Sequence, residues 1–170
     1  MRVIRNFVLL LGLIAAGFAI AGKPVAEKPG TGRHSITAML AANPDFKTLG
    51  AALAAAGLSE DLNEAGAQTL FAPTNAAFAK LPAGTLENLM QPANRARLAD
   101  ILRYHLVPET VEAKQLLKLT LVPTVYGEPL RVSHTGRQVM VGNARVLKTD
   151  IKASNGMIHA IDTVLMPDGR

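Results

Sequence analysis

The stretch TLFAPTNAAFAKLP, residues 69–82, joins two kinds of backbone. Thr69 to Ala72 is a short apolar run that suits a strand. It stops at Pro73, and Thr74 and Asn75 separate it from a small apolar, helix-like patch around Phe78, which ends at Leu81-Pro82. Thr74 is placed as the N-cap of that short helix, because its side-chain oxygen can accept an orphan amide of the first turn. Asn75 can bond neighbouring backbone groups. Both read as structural residues of a strand-to-helix corner. The competing use is a polar lip on a ligand groove.

The chain has 170 residues, a one-domain length. Its start reads as a secretory signal, residues 1–21. Arg2 and Arg5 are positive, Phe7 to Ile20 is almost wholly apolar, and Ala19-Ile20-Ala21 fits a small-x-small cleavage site. A membrane anchor is the alternative, but the apolar run is short for a span. Cleavage after Ala21 leaves 149 residues and no anchor. There is no cysteine, hence no disulfide framework and no lipoprotein-type lipid attachment. An exported domain of this size without disulfides must rest on its own core, and the composition points to a bacterial periplasmic or extracellular protein.

The formal charge of +5 falls by two to +3 when Arg2 and Arg5 leave with the signal. Arg95, Arg97 and Arg103 form the densest basic patch, which a solvated helix face explains. Aromatic residues are 4% of the chain and tryptophan is absent, so there is no stacking platform for single strands and nucleic acid is not an expected partner.

Residues 22–34 carry Pro24, Pro29, Gly30 and Gly32 and read as a flexible linker. The domain is expected over 35–167, with a tail at 168–170. No internal repeat is visible. Ser35 can cap a helix through Ala42. Asn43-Pro44 starts a second helix, with Phe46, Leu49, Leu53 and Ala56 on one face and Gly57 at its end. Ser59 caps another turn, Thr85 starts a helix through Met90, and Pro92 opens a longer one. In that longer helix Leu98, Ile101, Leu102 and His105 fall at i, i+3, i+4 and i+7, and Val107-Pro108 ends it. Val111 to Leu119 is expected to be one more helix. The second half is strand-rich. Expected strands are Thr120–Tyr126, Leu130–Ser133, Val139–Val141, Ala144–Leu147, Asp150–Lys152 and Met157–Leu165. Asn155-Gly156 is the strongest turn signal, since a primed hairpin turn requires positive φ at both positions. Short helices followed by short strands predict an α+β fold, with helices on one side of a mostly antiparallel sheet system.

Three ordered segments resemble fasciclin domains: TLFAPTNAAFAKLP, then DILRYHLVPE at 100–109, their Tyr-His segment, then DIKASNGMIHAIDTVLMP at 150–167. ITAMLAANPDFKTLGAALAAAGL at the domain's start is similar to the family's N-terminal helical stretch. The resemblance spans about Ser35 to Pro167. It implies a wedge-shaped β-sandwich of about seven strands with short helices packed on one side. It further implies a secreted or surface protein of cell adhesion or the extracellular matrix, whose partner is a protein or glycan outside the cell. It implies no known enzyme and no cofactor. Many relatives carry tandem domains, glycan-rich linkers or a lipid anchor, and this chain has none of these, which weighs against a bridging role. A monomer is expected.

His105 is expected to face inward and to need partners for both ring nitrogens, supplied by the Thr74–Asn75 corner or nearby backbone. Asp100, Ile101 and Tyr104 lie in the segment that the resemblance links to integrin adhesion in animal relatives. Ile101 belongs to the apolar stripe, while Asp100 and Tyr104, with His105, are the candidate partner surface. His159 reads as structural, in a strand with blurred alternation around Asp162 that a buried or bulged strand would produce. Asn155 and Gly156 are structural turn residues. His34 lies in the linker and His134 beside a turn, and the four histidines have no metal-ligand spacing. No G-x-S-x-G, phosphate loop or EF-hand loop occurs. The leading reading is a non-catalytic extracellular interaction module. The alternatives are a carrier of a lipophilic molecule such as a carotenoid or lipid, in a groove between helices and sheet, and then an uncharacterised hydrolase.

Overall fold

The computed structural model describes residues 34–167. The expected signal peptide, nearly all of the linker and the 168–170 tail lie outside the described residues.

The helical half follows its caps. Ser35 accepts from the Ala38 amide at 3.2 Å and starts α1 (Ile36–Ala42). Asn43 accepts from the Asp45 amide at 3.0 Å and opens a 3-10 turn, Pro44–Phe46, before α2 (Lys47–Ala56). The helix expected from Pro44 is thus a tight turn followed by a helix. Leu49, Ala52, Leu53 and Ala56 bury one face of α2. The chain leaves it through Gly57 at φ 76°, a left-handed conformation that glycine adopts without a Cβ clash. Then come α3 (Ser59–Glu64), α4 (Asn75–Ala79), α5 (Thr85–Leu89), a 3-10 turn at Pro92–Asn94, and α6 (Arg95–Tyr104), which buries Leu98, Ala99, Ile101 and Leu102.

Seven strands, β1 (Gln68–Pro73), β2 (Leu106–Val107), β3 (Leu121–Val122), β4 (Leu130–Thr135), β5 (Gln138–Val141), β6 (Ala144–Ala153) and β7 (Gly156–Ile161), pair in the order β2-β1-β7-β6-β5-β4-β3. The fold is α+β, with a sheet that nearly closes. Just past β3, the Val125 amide donates to the Leu106 carbonyl of β2 at 2.8 Å, linking the two ends of the strand order. All pairs are antiparallel except β1–β7, which run parallel with Phe71 opposite His159.

These two central strands are buried on both faces, which removes the inside–outside alternation. Leu70, Ala72, Ile158 and Ala160 pack with the helices. Phe71 and Ile161 pack into a second core with Val107, Val132, Val141 and Val146.

Several boundaries differ from the sequence expectations. The helix expected over Val111–Leu119 is one turn, α7 (Ala113–Leu116), because Val111 plugs the second core and Glu112 is extended as the N-cap. Thr120–Tyr126 contributes only Leu121–Val122. Ala144–Leu147 and Asp150–Lys152 form one strand interrupted by register shifts, with Asp150 at φ 58°. β2 occupies residues expected only to end a helix.

Candidate functional site

The Thr74–Asn75 corner is a helix start with a second task. Thr74 Oγ1 accepts from the Ala77 amide at 3.3 Å as the N-cap of α4. Asn75 reaches across to the start of α2, which has no capping side chain of its own. Its Oδ1 accepts from the Thr48 amide at 3.1 Å, and its Nδ2 donates to the Pro44 carbonyl at 2.8 Å. Arg95 serves the other end of α2, its Nε donating to the Ala56 carbonyl at 3.2 Å. A cation at a helix C-terminus is favoured by the helix dipole as well as by the bond.

His105 is fully buried. It stands at the C-cap of α6, and its Nδ1 lies 2.7 Å from the Ile101 carbonyl, so Nδ1 carries the proton and donates. Nε2 is then the acceptor, taking the Leu165 amide at 3.0 Å. Burial pushes its pKa from the ordinary 6.5 down to about 4, against the opposing pull of the Ile101 bond. The ring ties α6 to the segment after β7. Its partners are backbone groups, and the Thr74–Asn75 corner is not among them. With no accessible surface, His105 has no place on a partner-facing patch.

Asp100 is half-exposed and meets Arg103 at 3.5 Å, an exposed pair of little energetic weight. Tyr104 is half-buried, packs against the second core and makes an edge-to-face contact with Tyr126 at 6.0 Å. The two candidates therefore share a helix but not an environment.

Asn155 is also more than a turn residue. The hairpin loop is Ser154–Asn155, and Gly156 is already the first residue of β7, paired with Ala153. Among the described residues Asp150 is the only non-glycine with positive φ, so Asn155 does not take the conformation a primed turn requires. Its side chain is turned inward. Oδ1 accepts from the Ile36 amide at 2.9 Å, at the first turn of α1, and Nδ2 donates to the Leu62 carbonyl in α3 at 2.7 Å. Gly156 passes so close to β1 that a Cβ there would collide with the backbone of Gln68.

His159 is the centre of a polar cluster that the sequence only half disclosed. It is fully buried and stacked on Phe71 with ring centroids 5.6 Å apart. Nε2 donates to the Val111 carbonyl at 2.7 Å, and Nδ1 accepts from the Asp150 amide at 3.2 Å. Thr69 Oγ1 donates to the Glu109 carbonyl at 2.7 Å and accepts from the Val111 amide at 2.8 Å. Asp150 Oδ1 accepts from the Ala113 amide at 2.9 Å. Three side chains thus read the backbone of residues 109–113. Thr69 and Asp150 were missed as site residues, since nothing local marks a strand threonine or a bulged aspartate as a tie to a distant loop. Desolvation lowers the His159 pKa, while the Val111 bond and the Asp150 charge oppose that shift.

Asp162 ties the end of β7 to the start of β6. Arg145 donates its amide to Oδ1 at 2.8 Å and Lys80 meets Oδ2 at 3.1 Å. Desolvation would raise its pKa, but the bonds from Arg145, Lys80 and Thr163 outweigh it and hold the carboxyl below its usual range. Among the described residues, no group of three or more histidine and carboxylate side chains is placed to hold a metal ion.

The model of the fasciclin domain family matches residues 44–167. The chain belongs to the fasciclin domain family. A Synechocystis sp. relative, protein sll1483, is 45% identical over 78% of this chain and 73% of its own length. Transforming growth factor-beta-induced protein ig-h3 of Sus scrofa is 41% identical over 72% of this chain, but only 18% of that protein is covered. Human periostin is 33% identical over 79% of this chain and 16% of its own length. A solved FAS1 domain pair from the insect cell adhesion molecule Fasciclin I superposes with TM-score 0.69 at 20% identity, over 78% of this fasciclin chain and 51% of that chain, and shows the shared fold. No helix among the described residues is long and apolar enough to cross a membrane.

Proposed function

We propose that the chain is an exported fasciclin module, secreted or periplasmic, that works by binding a protein or glycan outside the cytoplasm and not by turnover. The observation that carries this reading is how the two inward histidines are used. Both ring nitrogens of His105 and of His159 are engaged by backbone groups, and both rings are held neutral by burial. A general base or nucleophile activator needs a nitrogen free to meet substrate, and these have none to spare. The signal-like first 21 residues and the likeness to a domain pair of a cell adhesion molecule support the same reading. The exposed part of α6 around Asp100 is the proposed contact surface, with Tyr104 buttressing it through Tyr126. In cross-linking on cells of the source organism, a reproducible adduct is expected from the native chain, weakened several-fold by Asp100→Lys. An adduct indifferent to that change would remove α6 from the interface.

A lipophilic carrier is the second reading, favoured by a groove of about 320 Å³ between α1 and α2, lined by Leu40, Phe46, Gly50 and Leu53 with Thr37 and Ser59 at its polar rim. That volume sits at the small end of ligand pockets. Native mass spectrometry of the chain purified from its own host should give the apo mass. An excess mass that disappears in Gly50→Leu, which fills the groove, would replace the interaction reading with the carrier.

A further inference from the structure

Between β2 and β3 the chain crosses the open side of the second core as residues 109–116. Its backbone bonds outside strands are local, from Gln115 and Leu116 back to Glu112 and from Leu117, Lys118 and Leu119 back to Ala113, Gln115 and Leu116, and the Glu112–Gln115 capping box closes α7. What fixes it to the rest of the protein is two apolar plugs, Val111 and Leu116, and the side chains of Thr69, His159 and Asp150. This differs from every strand around it, each of which is held by a ladder of main-chain bonds.

We propose that residues 109–116 are an acid-releasable strap, latched by His159, whose opening uncovers Phe71 and the pocket that Val111 fills. The latch works only with a neutral ring. Nε2 must donate to Val111 while Nδ1 accepts from Asp150. A proton added at Nδ1 turns that acceptor into a donor facing another donor, the Asp150 amide, in a site where the ring has no exposure to water. The Val111 carbonyl can still follow the cation, but the Asp150 amide cannot. Asp150 sits at a bulge with φ 58°, a conformation unusual for a non-glycine residue, so this is a point of β6 already under strain. When it yields, its carboxylate leaves the Ala113 amide, and the strap keeps the Thr69 ties and the bond from Val111 to a ring that is now free to move out with it.

The ionisable groups on the surrounding elements do not cancel this. β6 brings Arg145, Lys148, Asp150 and Lys152, the strap brings Glu109, Glu112 and Lys114, and β1 and the rest of β7 bring none; apart from His159 itself, all are exposed. The Asp150 carboxylate favours the cation, but desolvation of the ring is the larger effect and acts the other way. A cation relieves that burden by reaching water, and the strap is bonded directly to the ring through the Val111 carbonyl.

The chain has no cysteine, so a single introduced thiol reports opening without background. Val111→Cys would be reacted with a pyridyl disulfide at about pH 7.5 and about pH 5, below the ordinary histidine pKa. Rates would be normalised to a free thiol peptide, with Leu102→Cys in the helical core as the control. Labelling at position 111 should rise roughly tenfold on acidification while position 102 stays protected, the signature of local opening. Adding His159→Gln should abolish the rise, and adding His105→Gln should leave it. A pH-independent rate at 111, or a parallel rise at 102, would overturn the proposal. Should Val111→Cys fold poorly, hydrogen exchange of the unsubstituted chain reads the same event. Faster exchange confined to 109–116 at the lower pH supports the strap, and unchanged or uniform exchange refutes it.

Discussion

On one side of the β1–β7 pair, α1, α2, α3 and α6 bury Leu70, Ala72, Ile158 and Ala160. On the other, β4 to β6 and the 109–116 segment bury Phe71 and Ile161. The helical side satisfies its backbone within each helix and recruits Asn75, Arg95 and Asn155 for the chain ends. These ties are amides and a guanidinium, none of which changes charge near neutrality, and the titratable ring on this side, His105, joins α6 to the segment after β7. The strap side satisfies its backbone with Thr69, Asp150 and a histidine. The two cores have similar chemistry, but they use their histidines differently: His105 ties a helix that its own main-chain bonds hold, whereas His159 ties a segment that other side chains hold.

Both sides meet at the β1–β7 seam, so the change that should break the comparison altogether is Gly156→Ala. The added Cβ would meet the Gln68 main chain, which cannot swing aside as a flexible side chain can. The strands must separate, and both cores lose their shared wall. We expect a loss of about 4 kcal/mol or failure to fold, at the diagnostic end of the range for single substitutions. Urea denaturation followed by circular dichroism gives the number. A loss below about 1 kcal/mol would mean that the seam relaxes and the close approach is incidental.

His105 sharpens the comparison, because it is a second buried histidine placed away from the strap. The folded chain keeps it neutral down to about pH 4, whereas an unfolded chain protonates it near 6.5. Across that window the unfolded state binds more protons, so stability is full above about 6.5, falls as pH drops towards about 4, and then levels. The loss amounts to about 3 kcal/mol. His105→Gln should be less stable at neutral pH but flatter across the window, read from urea midpoints at successive pH values. His105→Ala should lower the melting temperature, since it orphans the buried Leu165 amide. An unchanged melting temperature would show that the ring ties nothing.

The sequence made local features legible. The α2 face, the Thr74 cap and the inward direction of His105 all follow from spacing and capping chemistry carried by neighbouring residues. What it hid was long-range. The parallel pairing of β1 with β7 joins residues far apart in the chain, and burial on both faces erased the alternation that would have flagged it. Two-residue strands such as β2 and β3 are too short to show a period. Asn155 looked like a turn former because Asn-Gly is a turn signal, yet its amide serves α1 and α3. Thr69 and Asp150 open two of the fasciclin-like segments, but their role exists only once residues 109–113 are folded over them. The resemblance to fasciclin domains carries the architecture, while the ties that hold this particular chain exist only between residues that the fold brings together.

The smallest effect tests whether the two sides are separable. Gly50 lies inside α2, has an ordinary helical backbone, and has nothing within 4 Å of the position its Cβ would take. Gly50→Ala removes the entropic cost of a glycine in a helix and should stabilise the protein by about 0.8 kcal/mol. In a domain of this size that is roughly 2–3 °C in melting temperature. Because the gain belongs to the helical side, it should slow global unfolding and leave the pH-dependent labelling of the strap where it was. If strap opening slowed in step with the melting shift, the two cores would be one cooperative unit, and opening at 109–116 would be a view of global unfolding and not a motion of its own.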